Sequence, residues 1–109
     1  MKFERTDSFK ADFKRLTAGE REKAKSAIPE FNAAAEAFIL HQQPWPTRFR
    51  VKPIQGADGI WEMTWSFSGP DGRATWEWFS IVERKGRKTI QEPAIRWRRI
   101  GGHDIFRNP

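Results

Sequence analysis

Two hydrophobic rhythms divide the chain near residue 44. Before it, apolar residues recur at helical spacing; after it, they alternate. Phe9, Phe13 and Leu16 stand at i, i+4 and i+7, with Lys10, Lys14 and Arg15 off that stripe. This predicts a helix over about 9–16, capped by Asp7 or Ser8. Thr17-Ala18-Gly19-Glu20 has the form of a capping box, Thr at N-cap and Glu at N3. The helix it opens keeps Ala24, Ala27, Ile28, Phe31, Ala34, Ala35, Phe38 and Ile39 in phase across Pro29, so one kinked helix is predicted rather than two. Pro44-Trp45-Pro46 ends it, and His41 lies in the last turn, where a cation favours the helix dipole. A short strand over 2–6 precedes an antiparallel helix hairpin.

From Arg48 the period is two. Arg48, Arg50 and Lys52 alternate with Phe49 and Val51, which predicts a strand with one basic and one apolar face. After a turn at Gly56-Ala57-Asp58-Gly59, Trp61, Met63, Trp65 and Phe67 alternate with Glu62, Thr64 and Ser66. Gly69-Pro70-Asp71-Gly72 closes a hairpin onto a strand over 73–82, with Trp76 and Trp78 on one face and Thr75, Glu77 and Phe79 on the other. Residues 83–88 read as a charged, solvated turn. A last strand covers about 94–100, and Pro93 upstream marks an edge or a bulge. The predicted fold is one α+β domain over 1–109. A short N-terminal strand and a two-helix hairpin pack on one face of a four- to five-stranded antiparallel sheet.

A chain of 109 residues is long enough for one core, and nine Phe with six Trp supply large burial per residue. The absence of cysteine excludes disulfides and thiolate metal sites. No stretch approaches the about 18–20 apolar residues of a membrane span, and the N-terminus does not open as a signal peptide, so a cytoplasmic protein is expected. The net charge of +6 changes the picture more. Residues 1–43 carry eight Lys/Arg against seven Asp/Glu, whereas residues 44–109 carry twelve against seven and all six tryptophans. A basic surface interleaved with aromatics suits a polyanion, and phosphate backbones are the commonest. A solvated face kept for solubility is the plain alternative.

The strands would offer Arg48, Arg50, Lys52, Glu62, Arg73 and Arg96 or Arg98 to the sheet face that the helices leave free. Neighbouring strands lie about 5 Å apart, so these groups could converge on one cationic surface. Guanidinium groups bind phosphate oxygens bidentately and stabilise charge developing at phosphorus. Metal-free RNA cleavage also needs a base for the 2′-hydroxyl and an acid for the leaving oxygen. A histidine's unperturbed pKa of about 6.5 fits His103 for either role; Glu62 and a lysine among arginines, Lys52, are further candidates. Their plain readings are a surface residue for His103 and an ion pair with Arg50 or Arg73 for Glu62. No phosphate-binding glycine loop is present, two distant histidines do not make a metal site, and no cofactor is expected.

Four stretches then point to a family: Phe9-Lys10-Ala11-Asp12-Phe13-Lys14-Arg15-Leu16, Arg50-Val51-Lys52-Pro53-Ile54-Gln55-Gly56, Gly59-Ile60-Trp61-Glu62-Met63 and Gly72-Arg73-Ala74-Thr75-Trp76. With the tail Arg98-Arg99-Ile100-Gly101-Gly102-His103-Asp104-Ile105-Phe106, the chain resembles the RelE/ParE superfamily of toxins from bacterial type II toxin–antitoxin systems, on its RelE-like side. The resemblance implies a ribosome-dependent mRNA endonuclease that cleaves message in the ribosomal A site without metal and is neutralised by a cognate antitoxin, as a homodimer or a toxin–antitoxin hetero-oligomer. It implies working roles for Arg50, Lys52, Arg73, Arg98 and His103, with Phe106 behind it; joined to the sheet-face reading, this assigns catalysis to Lys52, Arg73, Arg98 and His103 and RNA binding to Arg48, Arg50, Glu62, Arg96 and Phe106. The chain has no tyrosine, so the C-terminal tyrosine of some members falls to His103. The ParE branch, which poisons DNA gyrase with the same fold and no nuclease chemistry, is the alternative, together with an inactive member that only binds RNA or a partner.

Overall fold

Thr6 closes the first strand and opens the first helix. The computed structural model describes residues 1–66 and 71–109. Strand β1 (Lys2–Arg5) runs into α1 (Asp7–Arg15) through Thr6, whose backbone is still extended and whose hydroxyl accepts the Phe9 N–H at 3.1 Å. The cap is therefore Thr6 and not Asp7 or Ser8, because a cap must hold extended backbone and both of those are already helical. The predicted capping box is present in full: Glu20 N–H donates to Thr17 Oγ1 at 3.2 Å and Thr17 N–H donates to Glu20 Oε1 at 2.8 Å. Helix α2 (Ala18–His41) then runs unbroken through Pro29 to Gln42, which ends it in the left-handed region at φ 55°.

Residues 48–52 are not the predicted strand. Thr47–Phe49 form a 3-10 turn, Arg50 adopts φ 46°, and strand β2 is only Lys52–Pro53. Burial of Phe49 decides this: the turn seats its ring 5.5 Å from Phe31, inside the core. Strands β3 (Ile60–Ser66), β4 (Gly72–Lys85) and β5 (Lys88–Gly101) follow, and a 3-10 helix (His103–Arg107) ends the described chain. The predicted strand end at Phe67 and the Gly69-Pro70 half of the turn at Gly69-Pro70-Asp71-Gly72 lie outside the described residues.

The sheet has five strands in the order β1-β5-β4-β3-β2 and is mixed, because β1 lies parallel to β5. The expected wholly antiparallel sheet thus needs correcting at one edge. Period-two patterning fixes faces but not direction for strands that no hairpin joins, and β1 reaches β5 only after the whole intervening chain. Strand β5 also starts earlier than predicted and passes through Pro93, opposite Ser80. Pairing with β1 begins at Ala94, so Pro93 sits where β5 has a neighbour on one side only. The irregularity of β5 lies further on: Thr75 faces Arg99 while Trp76 faces Trp97, leaving Arg98 as the extra residue of a bulge.

Both helices and the 47–49 turn cover the face of the sheet that carries Trp61, Met63, Trp65, Trp76, Ile95 and Trp97. Phe31 is the hub, with ring centroids 5.0 Å from Trp45, 5.4 Å from Trp76 and 5.0 Å from Trp97. Edge-to-face and stacked pairs at these spacings add about 0.5–1.5 kcal/mol each beyond simple burial. The opposite face carries Glu62, Thr64, Arg73, Thr75, Glu77, Arg96 and Arg98, as the predicted alternation of β3 and β4 requires.

Candidate functional site on the outer sheet face

Register fixes which side chains meet on the face away from the helices. One row runs Lys52, Glu62, Thr75, Arg99 across β2, β3, β4 and β5; the next rows hold Thr64 with Arg73, and Glu77 with Arg96 and Glu4. Lys52, Glu62, Arg73, Arg96 and Arg98 are therefore brought onto one face. They form two sets.

The first set lies at the β2–β3–β4 side. Arg73 is 8% exposed, with Nη1 donating to Thr64 Oγ1 and Nη2 3.4 Å from Asp71 Oδ2. Its buried Nε has no hydrogen-bond partner among the described residues. Asp71 also receives Arg50 Nη1 at 3.3 Å, and the left-handed backbone of Arg50 turns that side chain toward it. Glu62 is nearly buried and pairs with the exposed Lys52 at 3.7 Å, so its partner is Lys52 and not Arg50 or Arg73.

The second set is built around one carboxylate. Glu77 accepts Arg96 Nη1 at 3.0 Å through one oxygen and Arg98 Nη1 at 3.2 Å through the other. Arg96 donates through Nε to Glu4 at 3.2 Å and lies 4.2 Å over the Phe79 ring. The bond to Glu77, with the one to Glu4 after it, raises the Arg96 pKa above the ordinary arginine value. Arg98 Nε donates to the Pro109 carbonyl at 3.1 Å, and the same oxygen accepts the Thr75 hydroxyl at 3.0 Å, which draws the tail across the sheet. Arg98 and Arg99 line a cleft of about 130 Å³ with Thr6, Ser8, Asn108 and Pro109.

Arg99 leaves this face. The bulge and the end of β1 let it reach Asp12 on α1, with Nε 2.6 Å from Oδ2 and Nη2 3.1 Å from Oδ1, and this bonding raises the Arg99 pKa above its ordinary value. Arg48 also lies elsewhere: its Nη2 meets Glu30 on α2 at 2.8 Å, beside a concavity of about 620 Å³ lined by Ser26, Glu30, Phe49 and Trp65 that holds none of the outer-face cations. His103 is exposed on the C-terminal 3-10 helix, its ring 5.6 Å from Phe106 in edge-to-face contact. Neither Arg48 nor Arg99 joins the outer-face sets.

The surface is thus less cationic than its arginines suggest. Arg50, Lys52, Arg73, Arg96 and Arg98 each lie within ion-pair distance of Asp71, Glu62 or Glu77. Sequence reasoning singled out the cations and Glu62 but missed Asp71, Glu77, Thr64 and Asp12. A usable signal for Asp12 was its place on the apolar stripe of α1, beside Phe9, Phe13 and Leu16, where a charge requires a partner. Among the described residues no group of three or more His, Cys, Asp or Glu side chains could hold a metal ion, and no helix is long and apolar enough to cross a membrane. No family model, curated protein or solved structure gives a significant match to this chain.

Proposed function

We propose that the chain is a RelE-like toxin, a metal-independent endoribonuclease that cuts ribosome-bound message. The observation that carries this reading is the convergence of Lys52, Glu62, Arg73, Arg96 and Arg98 on the one sheet face the helices leave uncovered. In the reaction, the 2′-hydroxyl attacks the adjacent phosphorus, the 5′-oxygen leaves, and a 2′,3′-cyclic phosphate remains. In this reading Lys52, with Glu62 beside it, takes the 2′-hydroxyl proton, and His103 is the acid that returns one to the leaving oxygen. Arg98 and Arg73 stabilise charge on the non-bridging oxygens, while Arg50 and Arg96 position the strand and Phe106 stacks on a base. A cognate antitoxin and the ribosome are the partners, in the cytoplasm.

Cleavage of message on programmed ribosomes tests this. Lys52→Ala and His103→Ala, both at exposed positions, should each lower the rate by about 10²-fold or more. Arg73→Ala should abolish cleavage, with thermal unfolding as its folding control. Undiminished cleavage in all three variants would overturn the assignment of the site. The carboxylates beside every outer-face cation favour a second reading, a non-catalytic member of the ParE kind. Arrested gyrase supercoiling by a wild-type protein that leaves message intact would establish that reading instead.

A further inference from the structure

We infer that the far end of the β4–β5 hairpin is a docking element for the phosphate backbone of folded RNA, separate from the outer-face site. The third strand pairs with β4 only as far as Glu77, and β1 pairs with β5 only from Ala94, which faces Phe79, so residues 80–85 and 88–93 form a two-stranded ribbon. Six residues beyond the last three-stranded row carry its tip about 20 Å outward, and the molecule measures 51 Å along one axis against 29 Å along the others. Gly86, at φ 64°, takes the first position of the two-residue turn, where an L side chain is strained.

Charge on this ribbon is arranged differently from charge on the sheet. Its two carboxylates are held by residues at the start of the chain: Glu83, midway along the ribbon, accepts Lys2 Nζ at 2.6 Å, and Glu92, at its base, lies 2.6 Å from the Met1 amine. At the tip, Arg84, Arg87 and Lys88 are exposed and have no carboxylate partner among the described residues. Lys85 and Lys88 are directly opposed across the ladder, next to the turn. Like charges in that relation destabilise a hairpin that has no third strand to support it. A folded chain that keeps this repulsion, while neutralising its sheet face group by group, has its strongest uncompensated positive charge where a polyanion can reach it from three sides. No carboxylate has to be displaced when phosphate arrives.

RNA as the polyanion rests on the proposed function: an enzyme of ribosome-bound message needs a grip on the ribosome's own RNA besides the strand it cuts. Binding can still be read without cleavage. The experiment is fluorescence anisotropy with a 16-base-pair RNA duplex in rising KCl. It compares the wild-type chain, a ribbon variant (R84Q/R87Q/K88Q) and a control neutralised on the helices (K10Q/K14Q/K25Q). The expected result is at least tenfold weaker binding by the ribbon variant in low salt, with a log–log salt dependence shallower by about 2–3, and little change in the control. Equal weakening in both variants, or none in the ribbon variant, overturns the inference. So does a DNA duplex that binds more tightly than the RNA, or polyglutamate that displaces the RNA at equal charge concentration. Duplex binding of this kind by a protein that cuts no message would uphold the ribbon and sink the nuclease reading alone.

Discussion

Asp12 and Arg99 join the first helix to the last strand through a two-point contact. Arg99 donates to both Asp12 oxygens, at 2.6 and 3.1 Å, and Asp12 also accepts the Ile100 N–H at 3.2 Å. A carboxylate this deep is tolerable because its partners satisfy both oxygens. Asp12→Ala should cost about 2–4 kcal/mol, at or just below the range for breaking a buried pair because Arg99 keeps some solvent. Asp12→Asn, which keeps one acceptor, should cost less. Urea denaturation ranks them, and equal losses would count against the two-point account.

Gly72 lies beneath the Trp65 ring. A Cβ built there would stand 2.4 Å from the indole, and the ring cannot slide away because its N–H donates to the Arg73 carbonyl at 2.9 Å. Gly72→Ala should destabilise by about 1–3 kcal/mol, as overpacking does in a filled core. In a Trp65→Leu background the penalty should shrink, and a double-mutant cycle by thermal unfolding would detect the coupling.

Glu77 restrains two arginines at once. Glu77→Gln should loosen the Nη1 groups of Arg96 and Arg98 from the sheet, while Glu4 and Pro109 keep their other bonds, and tighten RNA binding about three- to tenfold, the scale of one regained charge-assisted hydrogen bond. Anisotropy with a single-stranded RNA reads the change. Weaker binding would mean that Glu77 holds the arginines in their working positions.

The Lys2–Glu83 pair makes the tether between β1 and the ribbon sensitive to acid. The hydrogen bond from Lys2, and the attraction behind it, lower the Glu83 pKa and raise that of Lys2. A depressed carboxylate contributes stability that is present above its unfolded pKa and lost as pH falls through the folded one. The tether should therefore loosen in acid, below about pH 4.3. A raised lysine behaves oppositely, with its contribution lost as pH climbs past about 10.4. Carbon-detected NMR titration should find the Glu83 midpoint moving up toward the ordinary glutamate value in Lys2→Met. An unmoved midpoint would refute the cause given.

What the sequence made legible follows from how local each signal is. The capping box at Thr17 and Glu20, the stripe through Phe31, and the alternation of Trp61, Met63 and Trp65 all depend on residues within one element. The strand read at Arg48 failed because five alternating residues look alike in a strand and in a turn that buries Phe49. The direction of β1 could not be read, since its partner lies about ninety positions away. By period two Arg98 and Arg99 would fall on opposite faces; the bulge sets Arg99 opposite the outward Thr75, yet its guanidinium departs to Asp12 on α1 while Arg98 keeps to the outer face. The candidate cations were legible from charge, but their carboxylate partners were not, because pairing depends on register across three strands.

Thr6 has one consequence that concerns time rather than geometry. Its hydroxyl donates to the Arg98 carbonyl at 2.7 Å while also capping α1, and its N–H donates to the Trp97 carbonyl at 3.0 Å. Strand β1 therefore finds its ladder partner about ninety positions further along the chain. Until residues 94–97 emerge, β1 has nothing to pair with, and the aromatic centre around Phe31 lacks Trp97. Such non-local closure makes for slow folding, with apolar surface and an unpaired edge exposed in the meantime.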